Sequence, residues 1–243
     1  SRDSFTAEHC PLLEELKPEI VSFHFGLPEA GLMAWIKSKG ILVLATATSA
    51  REARWLEERG CDAIIAQGSE AGGHRGMFLE TDVATQSGTM SLVPQVVDAV
   101  KVPVIAAGGI ADARGVAAAF ALGAQVAQVG KAYLFCPEAK IAPLYRETLA
   151  TVKDDETVLT NVFSGRPARG VLNRFVAEVG PISEIAPPFP LAAAAVGPLR
   201  KASEARGSAD FMQMWAGQSV ALGKAISARE LTKKLAQHLP LDG

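Results

Sequence analysis

The chain has 243 residues, 49% of them hydrophobic and 21% charged, with a net charge of −2. This composition fits a soluble globular protein with a core large enough for one large domain or two small ones. The near-neutral balance argues against a general nucleic-acid or acidic-membrane partner. Cys10, Cys61 and Cys136 are odd in number and widely spaced. They give neither a metal-ligand spacing nor a disulfide framework, and a reduced cytoplasmic setting is expected. The opening residues carry no signal-peptide pattern. The longest apolar stretch, near Pro190 to Leu199, is broken by Gly197 and Pro198 and is too short to span a bilayer.

In chain order, Ile20 to Phe25 is a β-rich run, and Pro28 to Lys39 reads as a helix with a proline in its first turn and Gly40 past its end. Ile41 to Ala47 is the next strand. Ser49 and Glu52 form a capping-box pattern for a helix that runs to Arg59 and ends at Gly60. Ala63 to Gln67 is the third strand, 68–88 a long polar loop, Leu92 to Val100 a helix and Val102 to Ala107 the fourth strand. Asp112 caps a helix ending at Gly123, and Gln125 to Val129 is the fifth strand. Continuous apolar strands alternating with amphipathic helices predict a parallel sheet covered on both faces. An open doubly wound sheet and a (β/α)8 TIM barrel both satisfy this pattern, and periodicity does not choose between them. Past Tyr133 the pattern changes. Residues 137–153 and 203–237 read as helical, Ala192 to Ala195 as a short helix, and the Pro-, Gly- and Arg-rich region between shows no clear strand. The expected organisation is therefore an α/β domain over 1–136 and a helical C-terminal extension over 137–243.

The segment with most chemical content is Gln67-Gly68-Ser69-Glu70-Ala71-Gly72-Gly73-His74-Arg75-Gly76. Glycines after a buried strand let backbone approach a ligand, and His74 offers a group that titrates near neutral pH. In such folds catalytic groups concentrate in the loops that follow strands. A second constellation is Val102 to Asp112, a strand, the pair Gly108-Gly109 and a helix start; a third is Val126-Ala127-Gln128-Val129-Gly130-Lys131. Two successive strand-to-helix turns rich in glycine, with a helix N-terminus beside them, read as a cradle for the phosphate of flavin mononucleotide (FMN). The plain alternative is a pair of tight turns. Other candidates stay open in the same way. Glu70 binds a neighbouring backbone or flavin group, or is a solvated loop carboxylate. His24 points into the site or sits satisfied in the core. Arg166, Arg169 and Arg174 present cations to an anionic substrate or form surface ion pairs. Tyr133 reaches the substrate or packs. His9 and His238 lie near the termini and read as solvated. The four histidines have no paired-ligand spacing, so no metal is expected.

These segments, together with Ala132-Tyr133-Leu134-Phe135-Cys136-Pro137-Glu138-Ala139, the Gly165–Phe175 stretch and Trp215-Ala216-Gly217-Gln218, resemble the nitronate monooxygenases, formerly 2-nitropropane dioxygenases, in their bacterial class I branch. The resemblance runs from about residue 10 to the C-terminus. It implies a (β/α)8 barrel that binds FMN non-covalently, with Gln67, Gly72 and Gly73 at the flavin and Gly108, Gly109, Gln128, Val129, Gly130 and Lys131 at its ribityl phosphate. It implies His74 as the active-site histidine and oxidation of alkyl nitronates, propionate 3-nitronate foremost, by dioxygen to a carbonyl compound and nitrite. A homodimer is compatible with it. A flavin-dependent enoyl or NADH:quinone reductase on the same scaffold, and a non-catalytic truncated fragment, are the alternatives. The chain departs from the family in two places. Lysine stands at 131 where the family usually has threonine. Five of eight barrel strands are visible, and the family's first strands, with a ring-binding asparagine, have no counterpart. Either this is a fragment or the remainder is a separate chain.

Overall fold

The structure, a computed structural model, describes residues 5–237; His238 lies outside them. After the short helix α1 (Cys10–Leu16), five strands form one parallel sheet. They are β1 (Ile20–Phe23), β2 (Leu42–Ala47), β3 (Ala63–Gln67), β5 (Val104–Ala107) and β6 (Val126–Gln128), side by side in that order. Helices α2 (Ala30–Ser38), α3 (Ala50–Glu57), α4 (Thr89–Ala99) and α5 (Ala113–Ala121) connect them. This is the expected alternation, with the five expected strands.

Alternation along each strand separates two faces. Val43, Ala45, Ala47, Ile64, Ala66, Val104 and Ala106 pack against Met33, Ile36, Ala53, Leu56, Leu92, Val93, Val96 and Ala119 of the helices, forming the main core. The opposite face carries a smaller apolar cluster of Ala63, Ile65, Ile105 and Ala107, with Leu44 beside it. Towards the strands' N-terminal ends this second face opens: Ile20 and Leu42 are each 48% exposed.

One interior feature ties the sheet to the loop after β3. Glu52, on α3, is fully buried. Its carboxylate accepts from Thr48 N at 2.7 Å, Thr48 Oγ1 at 2.8 Å, Phe78 N at 2.7 Å and Leu79 N at 3.0 Å. The sequence marks Glu52 as half of a capping box, and Ser49 does accept from Glu52 N. The Glu52 side chain instead staples the segment after Gly76 onto the end of β2. Buried donors left without a partner cost about 1–3 kcal/mol each. Glu52→Ala is therefore expected to destabilise the protein by about 4 kcal/mol, read as a shifted denaturant midpoint; a change below about 1 kcal/mol would remove the staple from this account.

The region past Tyr133 differs from expectation. It does carry helices, α6 (Pro143–Thr151), α7 (Arg174–Val179), α8 (Leu191–Glu204) and α9 (Ala228–Leu235). The expected short helix at Ala192 to Ala195 is part of the fourteen-residue α8. Between α8 and α9 the chain is mostly irregular rather than helical. The stretch read as strandless holds β7 (Thr157–Thr160) and β8 (Ala168–Val171), an antiparallel pair. β8 pairs in turn with β4 (Gly73–His74), inside the long loop. Two four-residue strands containing arginine, glycine and threonine give no periodic signal. Their partners are distant in sequence: β8 takes its other edge from the His74 loop.

Candidate active site

A cavity of about 610 Å³ opens at the C-terminal ends of the five parallel strands. Each strand delivers a residue to its wall: His24 just past β1, Thr46 from β2, Gln67 from β3, Ala107 from β5 and Gln128 from β6. That is the end at which parallel α/β barrels place their chemistry. The loops add Glu70 to Gly73, Gly108, Gly109, Gly130 and Lys131, while Tyr145, Trp215, Gly217 and Ser219 come from the C-terminal region.

The loop after β3 is held by its own polar groups. Gln67 Nε2 donates to His74 O at 2.9 Å, and Gly76 N donates to Gln67 Oε1 at 2.8 Å. Arg75 is 1% exposed. Its guanidinium donates to Gly68 O at 2.6 Å, Gln67 O at 2.7 Å and Gln86 Oε1 at 3.1 Å. Burial, with the nearby Arg169 cation, lowers its pKa to about 10, so it stays charged at neutral pH. Glu70 takes the first of its two readings. Its carboxylate accepts from Thr89 N and Thr89 Oγ1, which satisfies an orphan donor at the start of α4. This contact from the far end of the same loop goes with α4 beginning at Thr89 rather than at Leu92. At Gly72 a Cβ would lie 2.6 Å from Gly217 N, so glycine is what lets the two backbones approach.

His74 sits on β4 with its ring among aromatic neighbours. Trp215 is 5.3 Å away between centroids, Phe189 5.8 Å and Phe25 5.9 Å, all edge-to-face. His74 Nε2 lies 2.8 Å from Ser164 Oγ, and Ser164 Oγ donates to Arg166 O at 3.1 Å. With that proton committed, Ser164 accepts from His74 Nε2–H. This contact fixes the orientation of the ring. The imidazole is not itself part of the cavity wall; its neighbours Gly73 and Trp215 are. His24 lines the wall, with Nδ1 3.1 Å from Thr46 Oγ1 and Nε2 donating to His74 O at 3.3 Å. Burial lowers its pKa, partly opposed by that carbonyl, which keeps the ring neutral near neutral pH.

The other end of the cavity is built from the two glycine turns. Gly108 and Gly109 adopt φ +111 and +69, the left-handed region that favours glycine. Gly130 has no heavy atom within 4 Å of where a Cβ would stand. Asp112 is the N-cap of α5, accepting from Arg114 N at 3.0 Å. Lys131 Nζ donates to Tyr145 Oη at 3.0 Å, and Tyr145 Oη donates to Trp215 O at 2.5 Å.

Gln67, Gly72, Gly73, Gly108, Gly109, Gln128, Gly130 and Lys131 thus share one cavity, whereas Val129 packs beside Ala132 and Leu231. Of the three arginines, Arg169 is buried and donates to Ser69 O at 2.8 Å, bracing the loop. Arg174 pairs with Glu178 on the surface. Arg166 lies over the Phe25 ring at 4.1 Å, one ring away from His74. Tyr133 packs, its hydroxyl 2.8 Å from Thr232 Oγ1. His9 bonds Thr6. Sequence reasoning gave no role to Arg75, Ser164, Tyr145 or Thr46. Arg75 stands inside the His74 motif and Ser164 just before the Gly165–Phe175 stretch; Tyr145 sits in an ordinary helical pattern that carries no signal. Among the described residues no group of three His, Cys, Asp or Glu comes together, and no helix is long and apolar enough to cross a membrane.

The sequence model of the nitronate monooxygenase family matches residues 6–238. The nitronate monooxygenase of Paraburkholderia phytofirmans is 44% identical over 240 residues, covering 97% of this chain and 65% of that protein. The nitronate monooxygenase of Pseudomonas aeruginosa is 42% identical over 230 residues, covering 94% of this chain and 66% of that protein. Among solved structures, a nitroalkane oxidase from Streptomyces ansochromogenes superposes with TM-score 0.86 at 39% identity, over 94% of this chain and 66% of that one. The M276A mutant of FabK from Thermotoga maritima superposes with TM-score 0.76 at 31% identity, over 97% of this chain and 71% of that one. The α/β fold is that of these TIM-barrel proteins, with five parallel strands visible here. The chain spans 61–66% of the length of the curated relatives it matches.

Proposed function

This chain belongs to the nitronate monooxygenase family, and on that footing we propose that it oxidises alkyl nitronates with dioxygen, using FMN seated in the cavity at the strand ends. The observation that carries this reading is the shared wall. The glycine turns at Gly108, Gly109 and Gly130 and the loop bearing His74 border one space of about 610 Å³. The residues present fit the cofactor. The open space at Gly130 and the left-handed turn at Gly108-Gly109 leave room for a bulky anion against backbone. Lys131 adds a cation. Bound there, FMN supplies electron acceptance from the nitronate and the reaction with dioxygen that gives a carbonyl compound and nitrite.

The protein's own part is placement and charge. Gly72 and Gly73 bring backbone to the flavin, and Gln67 fixes the loop while bordering the same space. His74, oriented by Ser164, stabilises the anionic substrate, or removes the α-proton from a neutral nitroalkane. Arg166 stands one aromatic ring away and suits a second negative charge, as on propionate 3-nitronate. We further propose that 1–136 is the cofactor-binding part and 137–243 an extension that covers it, contributing Tyr145, Trp215 and Ser219 to the wall.

Two measurements test this. Oxygen uptake should begin on adding propionate 3-nitronate to FMN-loaded protein, and anaerobic NADH should leave the flavin bands unbleached. Bleaching by NADH without uptake on nitronate would assign the chain to a reductase instead. The cradle has its own test. Gly130 has negative φ and open space around it, so Gly130→Val should fold normally while filling the seat. FMN affinity is expected to fall at least about tenfold with an unchanged melting temperature. Unchanged affinity would move the phosphate elsewhere.

A further inference from the structure

Lys131 opens the 3-10 turn Lys131–Phe135 after β6 and borders the cavity. Its ammonium donates to a neutral phenol, Tyr145 Oη, whose own proton goes to the Trp215 carbonyl. Of three ammonium protons, this contact uses one. None of the ion pairs among the described residues includes Lys131. The charged and titratable groups around it are committed elsewhere. On α6, Arg146 aims at the carbonyls of Leu134, Phe135, Cys136 and Ala139. Glu147 on the same helix forms no ion pair with Lys131, and the turn Val220–Leu222 packed beside it has no titratable side chain. Across the cavity, Glu70 is held at Thr89 and His24 between Thr46 and the His74 carbonyl. Lys131 is therefore a desolvated cation facing a roomy space with no carboxylate to neutralise it. Such a group sheds its proton readily, and burial lowers its pKa to about 7.

Resting on the flavin reading above, we propose that Lys131 and Tyr145 form a proton-linked seat for a phosphate monoester, in which arrival of the anion draws one proton from solvent onto Lys131 Nζ. Above neutral pH the free site holds a neutral amine. The phosphate dianion restores the ammonium, which then has a full counter-ion, while Tyr145 keeps its proton and accepts from Nζ. No other bond forms or breaks. The sign follows directly: the bound state carries the extra proton on Lys131, so affinity falls as pH rises past 7, and it falls again below about pH 6, where the phosphate monoester itself takes up its second proton.

The test is titration calorimetry with FMN in two buffers of different ionisation enthalpy, from pH 7 to 9. At pH 8 about 0.9 proton should be taken up per FMN bound, and affinity should drop nearly tenfold for each pH unit above 7.5. Lys131→Met should bind FMN more weakly at pH 7, with no proton uptake and a flat pH profile. Lys131→Arg should bind without uptake and stay flat because its cation never titrates. Riboflavin, which lacks the phosphate, should show no uptake, whereas inorganic phosphate should show it at lower affinity. A flat wild-type profile, uptake retained in Lys131→Met, or equal uptake with riboflavin would each overturn the proposal and leave the flavin reading intact. Wild-type protein that binds no FMN would overturn both.

Discussion

Replacing His74 by alanine is expected to lower kcat/KM for a nitronate by about 10²–10⁴-fold while FMN affinity and melting temperature stay within error of wild type. The expectation follows from how the residue is held. The backbone of His74 pairs with Ala168 across β4 and β8, and its carbonyl accepts from Gln67 Nε2, so the loop's position does not depend on the imidazole. The ring is oriented separately, by Ser164 Oγ and by the edges of Trp215, Phe25 and Phe189. Removing it deletes a directed polar group and leaves the surrounding frame. Ser164→Ala should produce a smaller loss of the same kind, because it releases the ring's orientation without removing the ring. Steady-state oxygen uptake checks both. A His74→Ala protein with wild-type turnover would take His74 out of the chemistry.

Arg75→Met should give the largest loss of stability at the site, about 3–5 kcal/mol, although Arg75 is not part of the cavity wall. Its guanidinium is the hub of the loop, tying Gln67 O, Gly68 O and Gln86 Oε1 together from a fully buried position. Methionine fills much of the volume and satisfies none of those acceptors. The melting temperature should fall by roughly 10 °C, and flavin should be lost with it, because Gly72 and Gly73 are positioned by this loop. A drop of less than about 2 °C would mean that the Gln67 clamp and the Arg169 contact to Ser69 O hold the loop unaided.

Legibility in the sequence tracked the range of the forces involved. The five parallel strands and their helices came out nearly in register because each apolar run and each cap is a local signal, as with Ser49 on α3 and Asp112 on α5. The glycine turns were legible for the same reason. What was hidden depends on partners distant in sequence. β8 pairs with β4 on one side and with β7 on the other, and Thr157–Thr160 alone has no pattern that says so. The start of α4 is set by Glu70, nineteen residues upstream. Tyr145 reaches the cavity because α6 packs beside the 3-10 turn at Lys131, a contact that helical spacing does not encode. Arginine roles were the least legible. Arg75 and Arg169 are buried braces and Arg174 is a surface ion pair, yet all three look alike in sequence. The family was legible in these motifs, while the interactions that hold the loop in place required the fold.

The most direct test of the central claim, that this cavity holds FMN by its phosphate, is the visible absorption spectrum of the protein after equilibration with FMN and removal of the free cofactor. The account predicts protein-bound flavin bands at one FMN per chain, and a much weaker signal with riboflavin. A colourless protein, or equal retention of riboflavin, would contradict the assignment of the Gly108, Gly109, Gly130 and Lys131 turns as a phosphate cradle.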